Sequence, residues 1–402
     1  MEVPKKLRAN PGGQLSPAEV IGRDKQIGRL WGILERQSLV LSAERRMGKT
    51  CVVKKMMAEA PSDMLLIYHD LEGLRSPLEF VETVFQDVER YLSGLQRTAE
   101  GARKLLKQVG GAEFNGFKLP NIAASHWKTL LTKTIEDLIE HQERTVIFFW
   151  DEMPMMLDKI KQDSGEKVAM EVLDTLRSLR QMSGNHSSSK LRMVFTGSIG
   201  LHHVISSLKQ AGYANAPTND MSIEELPPLS LIDAQELALG LLAGAEIPTD
   251  DIQATAQAIA KAVDGIPYYI HHVVDRLKWT YGKANPAIIS KFVDACLTDS
   301  LDRWDMSHYR DRIEVYYESD KRPFVLNLLD ILAVANQPLQ FNDLFNRLKS
   351  HVVTKDSESE MVRDVLTLLQ RDHYIIQQRD GTYRFRFPLI RRYWRLHRGL
   401  AA

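Results

Sequence analysis

Residues 37–57, QSLVLSAERRMGKTCVVKKMM, decide how this chain is read. The apolar run from Ser38 to Ser42 predicts a strand, a tight polar turn follows, and Gly48-Lys49-Thr50 opens a helix. Successive backbone N–H groups of such a turn converge on an anion, and the dipole of the following helix adds to their pull. Lys49 can reach the β- and γ-phosphates of a nucleotide, and the Thr50 hydroxyl can take a position on Mg²⁺. The pattern G-x-x-x-x-G-K-[ST] is met except at its first glycine, where Ala43 stands. That end of the loop must form without glycine's freedom in φ.

About 100 residues downstream, positions 145–154 read TVIFFWDEMP. Five apolar residues, Val146–Trp150, run directly into two carboxylates. An uninterrupted apolar run of this length suits a parallel strand covered on both faces. Its C-terminal end would lie on the rim where open α/β sheets bind ligands. Asp151 is then placed to hold Mg²⁺ directly or through water, and Glu152 to orient and deprotonate an attacking water. Alone, the acidic pair reads equally as a solvated turn after a buried strand. Together with the lysine loop, in this order and spacing, it points to a nucleotide triphosphate site.

With 402 residues the chain is long enough for two or three domains and a sizeable core. Lysine plus arginine and aspartate plus glutamate are equal at 52 each, so no global field draws the protein to nucleic acid or to an anionic membrane. Cys51 and Cys296 are the two cysteines, which argues against a disulfide scaffold and fits a reducing compartment. Their placement lacks the spacing of a zinc site. The first twenty residues lack the apolar core of a secretory signal, and no stretch approaches the ~20 apolar residues of a spanning helix. A cytoplasmic protein is expected.

Residues 1–19 are polar with Pro and Gly and predict a loosely held N-terminal arm. Residues 20–230 alternate apolar strands with amphipathic helices, which implies a mainly parallel sheet. The expected strands are 38–42, 64–69, 145–150, 191–196 and a short one near 221–226, with GGAEFNGFKLP (110–120) as a turn or small hairpin. After Pro227-Pro228, residues 231–300 read as four helices, with Gly265-Ile266-Pro267 breaking the second from the third. A polar, aromatic connector (301–321) leads to a last unit, 322–402. That unit carries three helices and a hairpin around Asp380-Gly381, the composition of a winged helix. The sequence contains no internal repeat and no low-complexity tract.

IGRDKQIGRL (21–30), ERRMGKT (44–50), FFWDEMP (148–154), FTGSIG (195–200) and DGIP (264–267), in that order, resemble the archaeal/bacterial ATPase branch of the STAND and Orc1/Cdc6-like AAA+ P-loop NTPases. The resemblance runs from about Val20 to the C-terminus. It implies an α/β fold: an αβα P-loop core with a parallel sheet, then a helical lid and a C-terminal winged helix. It also implies ATP and Mg²⁺ as ligands. Ile21, Gly22 and Arg23 would line the adenine or ribose edge, and Arg46, Met47, Gly48, Lys49, Thr50 and Cys51 would surround the phosphates. Thr196–Ser198 fall where the family places a γ-phosphate sensor, with Ser198 as the candidate sensing hydroxyl. Gly265 and Pro267 match the family's lid motif, whose proline packs on the base; a plain helix break is the other reading.

An arginine finger cannot be chosen among Arg45, Arg46, Arg177 and Arg180. Arg177 and Arg180 share a helix face, where a solvated role suits at least one. His202-His203 and His271-His272 are adjacent in helical stretches and so chelate poorly. In some STAND relatives a winged-helix histidine touches the nucleotide; His351 and His373 are the candidates here. Asp70 could support Mg²⁺ indirectly or cap the next helix. The third helix of the last unit, within 357–371, opens with acids, whereas its hairpin and tail are basic. A DNA-reading helix would present Lys, Arg, Asn or Gln, so the helix favours a protein-directed wing while the tail leaves DNA open. The expected function is an ATP-binding, ATP-hydrolysing switch in which nucleotide moves the lid and wing and gates a homo-oligomer or protein partner. The alternative is a DNA-binding AAA+ ATPase of the initiator or mobile-element kind.

Overall fold

The computed structural model describes residues 5–91, 126–182, 190–197, 200–279, 282–350 and 358–400. The expected turn at 110–120, His351 and Ser198 lie outside them. Contacts divide the chain into two units: Lys25–Ser42 with Val52–Leu226, and Met1–Asp24 with Ala43–Cys51 and Pro227–Ala402.

The first unit is built on a parallel sheet. Apart from Asp24 and Lys49–Cys51, which group with the second unit, its elements run α1 (Asp24–Leu34), β1 (Leu39–Ser42), α2 (Lys49–Ala58), β2 (Met64–Asp70), α3 (Pro77–Glu89), α4 (Trp127–Glu140), β3 (Thr145–Asp151), α5 (Met153–Ser164), α6 (Glu166–Met182), β4 (Leu191–Thr196), α7 (Leu201–Gln210) and β5 (Ser222–Glu225). The five strands lie in the order β2-β3-β4-β1-β5, every pair parallel. Parallel neighbours need crossovers, and the intervening helices supply them. The continuous apolar runs reflect position: every residue of β4, and all but the first of β3, is buried. Trp150 anchors this core, with its ring 5.0 Å from Phe80 edge-on, 5.1 Å from Phe148 and 6.0 Å from Phe195. Two buried arginines hold the framework. Arg192 donates to the carbonyls of Leu34 and Glu35 at the end of α1, and Arg180 pairs with Asp220 and the Pro217 carbonyl.

The second unit carries four lid helices, α8 (Leu231–Gly244), α9 (Ile252–Ala262), α10 (Pro267–Leu277) and α11 (Pro286–Leu297). Side-chain caps start three of them: Ser230, Asp251 and Asn285 accept N–H groups of Asp233, Ala254 and Ile288. The turn before α10 uses left-handed φ at Asp264 and Gly265. A Cβ on Gly265 would stand 2.5 Å from the Leu229 carbonyl oxygen, so only glycine fits. The arm is not loose from residue 5 onward. Leu7 is buried and donates its N–H to Gly240, and a Cβ on Gly244 would stand 1.8 Å from the Leu7 oxygen. Small residues on α8 let the arm's backbone lie against the helix.

The connector is also more ordered in secondary structure than its composition predicts, because it contains α12 (His308–Tyr316). Beyond it come α13 (Arg322–Val334), α14 (Phe341–Lys349), α15 (Ser359–Arg371), the antiparallel pair β6 (Ile375–Gln377) and β7 (Tyr383–Phe385), and α16 (Pro388–His397). Leu339 forms a single antiparallel bridge to Tyr383 beside this hairpin. At the hairpin turn Gly381 has φ 83° and donates its N–H to Gln378, as a glycine bulge requires. The basic tail is thus a helix that the sequence reading missed. Leu389, Ile390, Tyr393 and Trp394 form its buried face.

Asp264 joins lid and tail: its carboxylate accepts the Leu389 N–H at 2.7 Å, at the start of α16. Burial pushes this carboxyl up to about 6. An unfolded chain releases that proton near ~4, so raising the pH from about 4 to 6 costs folded-state stability at this residue. Asp264→Asn should therefore gain on the wild type across that window. Urea midpoints of both proteins at pH 4 and pH 6.5 measure the gain.

Candidate functional site

β1 ends at Ser42 and passes into the loop Ala43–Gly48, and α2 begins at Lys49. The loop turns through two left-handed residues, Arg46 at φ 72° and Gly48 at φ 86°. Glycine takes this conformation freely, whereas an arginine pays roughly 1–2 kcal/mol. Side chains from elsewhere in the second unit hold Arg46 there. Its guanidinium pairs with Asp305 at 2.9 Å and lies 4.1 Å from the centre of the Tyr268 ring. Arg45 pairs with the same Asp305 oxygen at 2.9 Å. Met47 is buried and its carbonyl accepts from Arg23 at 2.8 Å.

Glu44, the second loop residue, is the most deeply held. Its carboxylate takes a forked pair of bonds from Arg312 on α12, at 3.0 and 3.2 Å, and accepts the Arg45 N–H at 2.8 Å. Burial alone would raise this carboxyl, but Arg312 and then His308 outweigh it and hold Glu44 far below the usual carboxylate range. Breaking one partner of a pair this buried costs about 3–5 kcal/mol. Arg312 is itself fixed by the Tyr374 hydroxyl at 2.9 Å and the Asp372 carbonyl at 2.8 Å.

The acidic pair stands on the C-terminal edge of the sheet, where β3 ends two strands away from β1. Asp151 is buried, and its carboxylate accepts the Thr196 hydroxyl at 2.8 Å, the Glu152 N–H at 3.1 Å and the Tyr68 hydroxyl at 3.4 Å. Burial and then the Asp151 charge push the Tyr68 phenol well above its ordinary value, so it remains a donor. Glu152 follows with left-handed φ 53° and starts α5 as its N-cap residue. Non-glycine residues held in this region collect at functional sites. Gly197, just past β4, leaves room for the turn: a Cβ there would lie 2.6 Å from Pro154 Cδ and 3.4 Å from a Glu152 carboxylate oxygen.

The remaining candidates divide clearly. Gly22 has φ 71°, and a Cβ there would meet Asp233 at 2.5 Å. Arg23 is buried, lowered to about 10 by that burial, and donates to Pro227 as well as to the loop. Pro267 starts α10, and its neighbour Tyr268 carries the stacking contact to Arg46. Cys51 and Thr50 sit in the first turn of α2, with Thr50 exposed. Ile21 is half-buried beside Gly22. Asp70 does not cap α3, which Ser76 caps; it lies opposite Asp151 in the β2–β3 register, and its carboxylate accepts the Glu72 N–H at 3.0 Å. Among the arginine-finger candidates, Arg180 is buried on Asp220, and Arg45 and Arg46 are paired to Asp305. Sequence reasoning missed Tyr68, Tyr268, Asp305 and Arg312. A tyrosine two residues before the end of β2, beside an acidic strand end, was the one available signal.

Residues 33–205 match the family model described as AAA domain. The whole chain superposes on the Walker-type ATPase PABY2304 of Pyrococcus abyssi with TM-score 0.58 at 15% identity, covering 98% of this chain and 99% of that one. The Aeropyrum pernix ORC2 protein, solved as ADPNP-ADP complexes, gives TM-score 0.52 at 12% identity over 99% of this chain and 97% of that one. At these identities the likeness establishes the fold alone. No curated protein sequence matches the chain. Among the described residues, no helix is long and apolar enough to cross a membrane.

The close approach at Gly197 gives a direct check on this edge of the sheet. Gly197→Ala should lower the unfolding free energy by about 1–3 kcal/mol, since the proline ring it meets cannot rotate away. Chemical denaturation of the two proteins reads that difference.

Proposed function

We propose that the chain is an ATP-binding, Mg²⁺-dependent AAA+ ATPase acting as a switch of the STAND type, which gates self-association or a protein partner. The observation that carries this reading is the loop turned through Arg46 and Gly48 into Lys49 at the start of α2. β1, the strand that precedes this loop, and β3, which ends at Asp151, run parallel in one sheet.

In the proposed chemistry the loop N–H groups and Lys49 bind the phosphates. Hard oxygen donors suit Mg²⁺, and Thr50 and Asp151 would hold it with phosphate oxygens completing the set. Bound there, the ion would neutralise charge on the β- and γ-phosphates. Asp151 is fixed for that role by the Thr196 and Tyr68 hydroxyls, which leave it little freedom to rotate. Glu152 takes the proton of the attacking water, and Ser198 bonds the γ-phosphate. Ile21, Gly22 and Arg23 edge the nucleoside, and Pro267 packs on the base.

The DNA-binding reading draws less support from the wing. The solvent face of α15 mixes Glu360, Asp364 and Thr367 with Arg363 and Arg371, and Arg363 lies over the Phe341 ring. Of the tail arginines, Arg391 donates to the Ala333 and Ala335 carbonyls, Arg392 pairs with Asp294, and Arg398 pairs with Asp330. Guanidinium groups spent on the protein's own carbonyls and carboxylates are not offered to phosphates. A wing that reports nucleotide state to a protein fits these residues better than one that reads duplex.

Lys49→Ala should weaken ATP binding by about 100-fold or more in calorimetry, because it removes the cation from the phosphate cradle. Glu152→Gln should keep ATP affinity within a few-fold while phosphate release falls by about 100-fold or more. Equal ATP affinity in wild type and Lys49→Ala would defeat the assignment.

A further inference from the structure

We propose that Arg312 and Asp305, on the connector, are positioning residues for the phosphate loop, so that nucleotide binding and docking of the winged helix are one coupled equilibrium. The proposal rests on the nucleotide reading of the loop and extends it to residues no motif marks.

Loops of this kind work by aiming several N–H groups at one point, and small errors in aim are costly. Here the usual source of loop shape is reduced, since Ala43 replaces the first glycine and a left-handed arginine takes one turn position. The shape is imposed from outside instead. Four successive loop residues are each gripped: Glu44 by Arg312, Arg45 and Arg46 by Asp305, and the Met47 carbonyl by Arg23. Arg312 spans two structures at once. One edge of its guanidinium forks onto Glu44, while Nε donates to the Tyr374 hydroxyl and Nη2 also to the Asp372 carbonyl. Tyr374 and Asp372 lie between α15 and β6 of the winged helix. The guanidinium also faces the Tyr374 ring at 4.3 Å and the Tyr309 ring at 5.2 Å.

Glu44 and Arg312 are thus a pair that satisfies each other only when connector and wing are docked. If connector and wing leave together, Glu44 loses Arg312; if the wing leaves alone, Arg312 loses the Tyr374 hydroxyl and the Asp372 carbonyl that hold it on Glu44, and in either case the cradle loses its fixed form. By linkage, a nucleotide that needs the formed cradle must favour the docked wing by the same factor. Asp305 adds a second grip that holds the left-handed Arg46 in place.

The test is calorimetric titration of the full chain with Mg²⁺ and a non-hydrolysable ATP analogue. Glu44→Gln and Arg312→Met should each weaken binding tenfold or more, and the double variant should be no worse than the weaker single. Asp330→Asn, which loosens Trp394 and Arg398 within the wing, should lower the melting temperature and leave affinity unchanged. Independently of any variant, the analogue should slow amide exchange in residues 303–317 and 372–386 of the wild type. Wild-type affinity in folded Glu44→Gln and Arg312→Met overturns the proposal, as does binding that leaves exchange in both segments unaltered. A wild type that binds no nucleotide overturns the functional reading itself, which the unvaried titration shows first.

Discussion

A parallel sheet covered on both faces has no room for polar chemistry except at the ends of its strands. Every residue of β4 is buried, as is β3 from Val146 to Asp151, so that constraint governs the sheet here. The edge formed by Asp151, Glu152, Thr196 and Gly197 is the direct outcome. Trp150 and Phe195 stack in the core, and the very next residues, Asp151 and Thr196, meet through a hydrogen bond of 2.8 Å. One step along each strand separates packing from chemistry.

Much of this was legible because the determining signals are local. The runs at 64–69, 145–150 and 191–196 contain little but apolar residues, and β2, β3 and β4 fall on them within one residue. Lid helices were legible from Gly265-Ile266-Pro267, whose glycine is required by the close Leu229 oxygen. Two helices were not. α12, HYRDRIEVY, mixes charges and aromatics without a clean stripe, because its arginine at Arg312 faces inward on Glu44 instead of outward on water. α16 reads as a basic tail because Arg391 and Arg392 are surface-typical residues used here for internal bonds. In both cases a buried or bonded arginine hides the helical period.

The loop itself shows where local reading stops. Gly48-Lys49-Thr50 announces the cradle, but nothing in the sequence pairs Glu44 with Arg312 or Arg46 with Asp305, each more than 250 positions away. Such pairs are set by tertiary placement and leave no spacing to detect. Around the loop Arg45 and Arg46 share the one carboxylate of Asp305, and Arg312 answers Glu44, so the loop is held by local ion pairs.

The central claim is that the cradle at the start of α2 is a nucleotide site. The most direct test is mass spectrometry of small molecules released by denaturing the purified chain, after incubation with equimolar ATP and GTP in Mg²⁺ and removal of free ligand. The account predicts an adenine nucleotide close to one per chain. Release of no nucleotide, or of guanine nucleotide in preference, would contradict it.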